Sequence, residues 1–105
     1  MSLNNFKTYQ LAKEFCQDCR KLQLKGELKD QFERASLSVL LNIAEGANLP
    51  TIANKRKFFA IALGSLRETQ AILDLLSEEE LFQKSDSIAA LLYRLVYPAP
   101  RIREL

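Results

Sequence analysis

The sequence predicts an all-α protein in which residues 1–105 form one antiparallel, up-down-up-down four-helix bundle domain. Apolar residues recur at three- and four-residue spacings, as on the buried face of a helix. Glycine and proline are scarce, with three of each, and they lie mainly between these periodic segments. The links between the segments are short, as they are between neighbouring helices of a bundle.

The first half of the chain contains two predicted helices. The first covers about residues 5–24 and places Phe6, Tyr9, Ala12, Cys16 and Cys19 on one face. We expect the Lys25-Gly26 pair to close this helix. The second helix covers about residues 27–46.

The second half contains two more predicted helices. Thr51 is expected to cap a third helix that reaches about residue 77. Residues 78–82 then form a connector, and Ser85 or Asp86 caps the last helix. That helix ends at Tyr97, because Pro98 and Pro100 cannot continue it.

Polar residues interrupt the apolar pattern of the second and third helices. The second helix has a core seam at 4-3-4-3-4 spacing, and the third has one at 3-4-3-4-3 spacing. The two seams consist of Leu28, Phe32, Ala35, Val39, Asn42 and Gly46, and of Phe59, Ala62, Leu66, Thr69, Leu73 and Leu76. Asn42 lies on the first seam, Glu45 lies in a polar stripe beside it, and Glu68 lies on a largely apolar face. We expect these three residues to form a structural polar network that fixes helix register.

The outer surfaces of the same two helices are also apolar. A helix that is apolar all round for two turns must be covered on every side. Either a neighbouring subunit or the chain's own loops and termini can supply this cover, and the sequence favours a subunit. The predicted oligomer interface consists of Leu37, Leu40, Leu41, Ala44, Gly64 and Ser65.

The composition argues against several classes of site. Histidine is absent, which removes Ser-His and Cys-His nucleophile systems and the usual zinc sites. Cys16 and Cys19 form a C-x-x-C pair, typical of redox or zinc sites, but inside a helical pattern they are expected to be core residues. An acid–base pair or hard-cation site built on Glu45 and Glu68 is the remaining enzymatic reading, and no nucleophile or phosphate loop accompanies it.

Two strings of the sequence resemble a known bacterial family. They are Ser38–Gly46, SVLLNIAEG, and Phe58–Glu68, FFAIALGSLRE. The chain is similar in them to the four-helix bundle proteins also called 23S rRNA intervening-sequence proteins. The accessory variability protein of diversity-generating retroelements is similar too; in that branch a basic pentamer binds a reverse transcriptase and nucleic acid. The resemblance implies a cytoplasmic bundle that assembles into a ring, commonly a pentamer, and it implies no enzymatic activity.

Basic residues provide a candidate nucleic-acid surface. They are Arg34 on the second helix and Lys55, Arg56 and Lys57 at the start of the third. A solvated surface is the alternative, because the net charge of the chain is only +2. The family pattern places glycine and arginine after the N-I-A-E-G string, whereas this chain has Ala47 and Asn48.

We therefore expect a non-enzymatic, oligomeric scaffold or adaptor that binds RNA, DNA or a nucleic-acid enzyme such as a reverse transcriptase. The alternative is a structural or helix-binding protein-interaction module without nucleic acid. No catalytic residue, cofactor, metal or small-molecule substrate is expected. The N-terminus lacks an apolar signal region and no apolar run is long enough to span a membrane, so a cytoplasmic location is expected.

Overall fold

A computed structural model describes residues 2–98 as a short 3-10 turn followed by four α-helices. The turn is Leu3–Asn5, and the helices are α1 (Lys7–Cys19), α2 (Gly26–Ala47), α3 (Ile52–Leu75) and α4 (Glu79–Val96). Residues 2–98 contain no strand, so the all-α prediction is confirmed. Pro100, which was expected to help end the last helix, lies outside the described residues.

The four helices pack around one apolar core to which all of them contribute. The largest fully buried apolar side chains are Phe15 of α1, Phe32, Val39 and Ile43 of α2, Leu66 and Leu73 of α3, and Ile88 and Leu92 of α4. The two predicted seams supply much of this core, although Asn42 on the first seam is only half-buried. Among the described residues, no helix is long and apolar enough to cross a membrane.

The junction between α1 and α2 differs from the prediction. α1 ends at Cys19 instead of near residue 24, and Leu22 and Leu24 pack against the core from the link. Gly26 does not close α1. It is the first residue of α2, and its φ of 62° lies in the left-handed region that glycine adopts without a steric penalty.

The beginning of α4 is a second correction. α4 starts at Glu79, so neither Ser85 nor Asp86 caps it. The chain turns before it through a Schellman motif, in which Glu78 N–H donates to Leu73 O at 2.9 Å and Ser77 takes the left-handed conformation with φ 58°. Glu79 and Glu80 occupy the first turn, where carboxylates interact favourably with the helix dipole. Ser85 is fully buried one and a half turns inside α4.

The α2–α3 junction, which we define as Gly46, Lys55 and Phe59, brings the end of α2 against the start of α3. A Cβ atom on Gly46 would lie 2.8 Å from Phe59 Cε1 and 3.2 Å from the Lys55 carbonyl oxygen. Lys55 Nζ donates to Ala47 O at 2.9 Å and to Gly46 O at 3.4 Å, so its positive charge binds carbonyls at the C-terminal end of α2. Thr51 caps α3 as predicted, accepting from Asn54 N–H at 3.2 Å.

Gly46→Ala is expected to destabilise the protein by about 1–3 kcal/mol, because the added methyl group overpacks the junction. The measurement is urea unfolding followed by circular dichroism at one fixed protein concentration. In a Phe59→Leu background the substitution should cost clearly less, since the ring atoms nearest the new methyl are removed. Equal costs in the two backgrounds would contradict this account.

Candidate functional site

A polar link joins α2 to α3 at the middle of the bundle. Ser38 Oγ and Ser65 Oγ share a hydrogen bond of 2.7 Å. Asn42 Nδ2 donates to Ser38 O at 2.9 Å and to Ser38 Oγ at 3.1 Å, which holds the serine hydroxyl in place. Three polar groups therefore meet in only one register of α2 against α3. Of the predicted network, the structure brings Asn42 into this link, and sequence reasoning missed the role of the two serines.

Glu45 and Glu68 lie elsewhere. Both carboxylate side chains are exposed in the single chain, Glu45 near the end of α2 and Glu68 on α3. An acid–base pair depends on buried carboxylates, and these two are exposed, so the single chain does not support that role. That Glu45 and Glu68 belong to a structural polar network stays a prediction, which applies to an assembly of several chains. Across residues 2–98 no group of three or more Cys, Asp or Glu side chains is arranged to hold a metal ion.

The predicted nucleic-acid residues do not form one cluster. Arg34 donates to Gln31 Oε1 on α2, and Lys55 is engaged by the carbonyls at the end of α2. Arg56 is exposed, and Lys57 Nζ lies 5.9 Å from the centre of the Phe58 ring. Adjacent residues on a helix point about 100° apart, so Arg56 and Lys57 face different sides of α3.

Of the predicted interface residues, Leu37, Leu41 and Gly64 are exposed on the outer side of α2 and α3, whereas Ser65 is half-buried and bonds to Ser38. Leu41 is 57% exposed and Ile61 of α3 is 44% exposed. Leu37 is also exposed, whereas Leu40 and Ala44 are half-buried. Gly64 is exposed in the middle of α3, and a Cβ atom placed on it would meet nothing within 4 Å. We call Leu37, Leu41, Ile61 and Gly64 the α2–α3 apolar face.

Cys16 and Cys19 are buried free thiols, as the core reading of the C-x-x-C pair predicts. Burial raises the pKa of Cys16, opposed by the nearby Arg20 charge and a hydrogen bond with Ser36. Burial raises the pKa of Cys19 to about 12, and the neighbouring Cys16 and Asp18 add to the effect. Because the thiolate is the reactive form, the fold holds both thiols in an unreactive state.

A groove between α3 and α4 was not found from the sequence. It is open to solvent and has a volume of about 400 Å³. The residues that line it are Arg67, Asp86, Ala89, Ala90, Tyr93 and Arg94. Tyr93 and Tyr97 are 53% and 60% exposed, and their ring centroids lie 4.9 Å apart. The four-residue spacing of two tyrosines around an arginine is the sequence signal that marks this surface.

Comparison with known proteins assigns the chain to a family. The sequences of 23S rRNA-intervening sequence proteins match residues 4–95. This range contains α1, α2 and α3 in full and all of α4 except its last residue. The chain belongs to the 23S rRNA-intervening sequence protein family. The resemblance of its two central strings is thereby confirmed.

A solved structure shows the same fold as this 23S rRNA-intervening sequence protein. It is the crystal structure of a protein of unknown function from the S23 ribosomal protein family of Bacteroides thetaiotaomicron VPI-5482. The TM-score is 0.80, the sequence identity is 23%, and the match covers 86% of this chain and 98% of the other. Among curated proteins, none matches the chain. The family and this structure indicate no enzymatic class.

Asn42→Leu is expected to keep the helices of this family member but to give assemblies of mixed size, since the link that fixes the α2–α3 register is lost. The measurements are circular dichroism and light scattering. Asn48→Leu is the matched control, because Asn48 donates to Ala44 O four residues earlier, without reaching α3. A single species of unchanged size and higher stability for Asn42→Leu would refute the register role.

The free energy of unfolding is expected to fall as the pH rises above about 9. The folded chain holds the Cys19 proton up to a pKa of about 12, whereas the unfolded chain releases it near the ordinary thiol pKa. The loss is at most about 1.4 kcal/mol per pH unit for one thiol. Urea unfolding at several pH values measures the slope. Cys19→Ala should flatten it, and a slope that this variant leaves unchanged would contradict the assignment.

Proposed function

We propose that the protein is a non-enzymatic, homo-oligomeric scaffold built from antiparallel, up-down-up-down bundles. The α2–α3 apolar face is the observation that carries this proposal, because large aliphatic side chains stand exposed there beside a glycine in the middle of a helix. Subunits associate through this face into a ring. The pentameric size and the cytoplasmic location are taken from the family resemblance.

Exposed aliphatic residues support association energetically. Full burial of one leucine or isoleucine side chain stabilises by about 1.5–3 kcal/mol. Leu41 and Ile61 are each close to half exposed, so covering them recovers part of that energy for each subunit. Ser65 lies four residues after Ile61 and bonds to Ser38, three residues before Leu41. The bond places the two apolar side chains at neighbouring levels of the bundle.

Gly64 supports a close approach from outside the chain. Glycine inside a helix costs about 1 kcal/mol relative to alanine, and nothing in the single chain packs against this position. Gly46, by contrast, is required by Phe59 within the same chain. A helix of a second subunit that approaches the backbone at Gly64 accounts for the absence of a side chain there.

Besides further copies of the chain, nucleic acid is a candidate partner of this scaffold. A reverse transcriptase or another protein is the alternative. Arg56 and Lys57 support nucleic-acid binding, because both are exposed near the beginning of α3. Arg34 and Lys55 support it less, since each already binds within its own chain. Each subunit carries only +2, so assembly multiplies a weak field.

Leu41→Glu is expected to reduce the assembly to single chains while the helical signal is kept. The reason is that a buried carboxylate at the interface is costly, whereas at an exposed position of the free chain it is not. Light scattering gives the size and circular dichroism gives the helix content. Gly64→Leu should have the same effect, because its side chain has open space only in the single chain.

Ile52→Glu is the matched control. Ile52 is also an exposed large apolar residue, but it is the first residue of α3 and lies outside the α2–α3 apolar face. This variant should keep the size of the wild-type assembly. The proposal fails if the wild-type protein is a single chain at micromolar concentration, or if Leu41→Glu and Gly64→Leu leave the size unchanged.

A further inference from the structure

We propose that the groove between α3 and α4 binds single-stranded nucleic acid, with Tyr93 and Tyr97 stacking on bases and Arg56, Arg67 and Arg94 contacting phosphates. The inference deepens the proposed nucleic-acid role and rests on it, but it does not require self-association. It places the binding surface on the side of α3 that adjoins α4, with Arg56 but without Arg34, Lys55 and Lys57.

The groove is an open depression between α3 and α4 with small side chains on one wall. Ala89 and Ala90 line it on α4, so small side chains leave the space between the two helices open. Gln70 of α3 joins the two helices beside the groove, because its Nε2 donates to Ser85 Oγ at 2.8 Å and to Asp86 Oδ1 at 2.9 Å on α4. The result is a shallow channel on a rigid support, open along one side.

Positive charge collects along this channel. Arg67 and Arg94 line it directly, and Arg67 Nη1 donates to Gln70 Oε1 at 2.9 Å, which orients the guanidinium group. Arg56 lies eleven residues before Arg67, close to three full turns, and therefore on the same side of α3. Asp86 is the carboxylate that lines the groove, and it already accepts from Gln70.

The two tyrosines indicate single strands. Both residues are more than half exposed, so their rings are accessible from solvent. Aromatic rings bind unpaired bases by stacking, and every base has a face to offer. A duplex keeps its bases stacked inside, so it engages the arginines and leaves the tyrosines unused. The combination of guanidinium groups and exposed rings favours a single strand over a duplex.

Fluorescence anisotropy with a labelled 20-nucleotide oligo(dT) strand and the 105-residue chain tests the site. Three phosphate contacts predict a roughly 20-fold loss of affinity between 50 and 200 mM salt. The double variant Arg56→Gln/Arg94→Gln should lower the slope of log K against log salt by about 1.4. The matched control, Lys13→Gln/Lys29→Gln, removes two exposed charges from α1 and α2 and should leave the slope unchanged.

A second pair of variants tests the stacking. Tyr93→Ala/Tyr97→Ala should weaken binding of oligo(dT) roughly 5- to 150-fold per stacked base, whereas Tyr93→Phe/Tyr97→Phe should retain it. The affinity for a 20-base-pair duplex should be the same for the alanine and the phenylalanine double variants. Light scattering and circular dichroism of each variant establish that size and fold are kept.

Two outcomes overturn the inference in different ways. If the wild type binds oligo(dT) and the tyrosine and arginine variants bind it equally well, the groove is not the binding site, but the proposed nucleic-acid role is retained. If neither oligo(dT) nor the duplex binds at 50 mM salt, both fail, and the scaffold acts on protein partners alone. Loss of assembly in Leu41→Glu should not abolish binding by the single chain.

Discussion

The α2–α3 junction is the constraint on which the rest of the structure depends. Gly46 has no side chain, so the Phe59 ring lies directly against the α2 backbone, and the Phe6 ring lies 6.1 Å from it. Lys55 binds the last carbonyls of α2 at the same point. Because the Phe59 ring and the Lys55 ammonium group both bind at fixed positions of the α2 backbone, α3 cannot shift along α2 by a turn. The junction therefore sets the register of α3 on α2 at one end, and the Ser38–Ser65 bond sets it again nearly two turns away.

Register in turn decides which residues reach the surface. Because α3 is held in one rotation, its core residues, Ile61 with Gly64, and Arg56 with Arg67 face three different directions, although Gly64 and Arg67 are only about 60° apart. The first direction is buried among all four helices, the second continues the exposed leucines of α2, and the third adjoins α4. A change at Gly46 or Ser65 would rotate or shift all three surfaces together. The polar residues that interrupt the apolar pattern are therefore needed to position surfaces at which they take no direct part.

The sequence predicts the helices and their buried faces well, since periodicity depends on local spacing. The seams of α2 and α3 and the Thr51 cap follow from residues close together in the chain. Ser85 was mistaken for a cap, because a serine before an apolar run looks the same whether it caps a helix or bonds to Gln70 of another helix. Lys55 looked like a free charge for the same reason. Both partners lie on other helices, and only the tertiary packing brings them together. The exposure of Glu45 and Glu68 in the single chain could not be predicted, because helical angles alone do not show how far a neighbouring helix covers each face.

Separate surfaces for association and ligand binding have a thermodynamic consequence. Phosphate contacts at one copy of the proposed groove would give weak, salt-dependent affinity, since only three guanidinium groups would contribute. The proposed assembly leaves the groove accessible provided that the partner subunit approaches from the α2 side of Gly64, since Arg67 lies only about 60° from Gly64 around α3. A strand that engages one groove then meets the next at a high effective concentration, and avidity exceeds the affinity of a single site by orders of magnitude. The proposed assembly would thus raise affinity without new contacts and let a small bundle with a net charge of only +2 hold a polyanion.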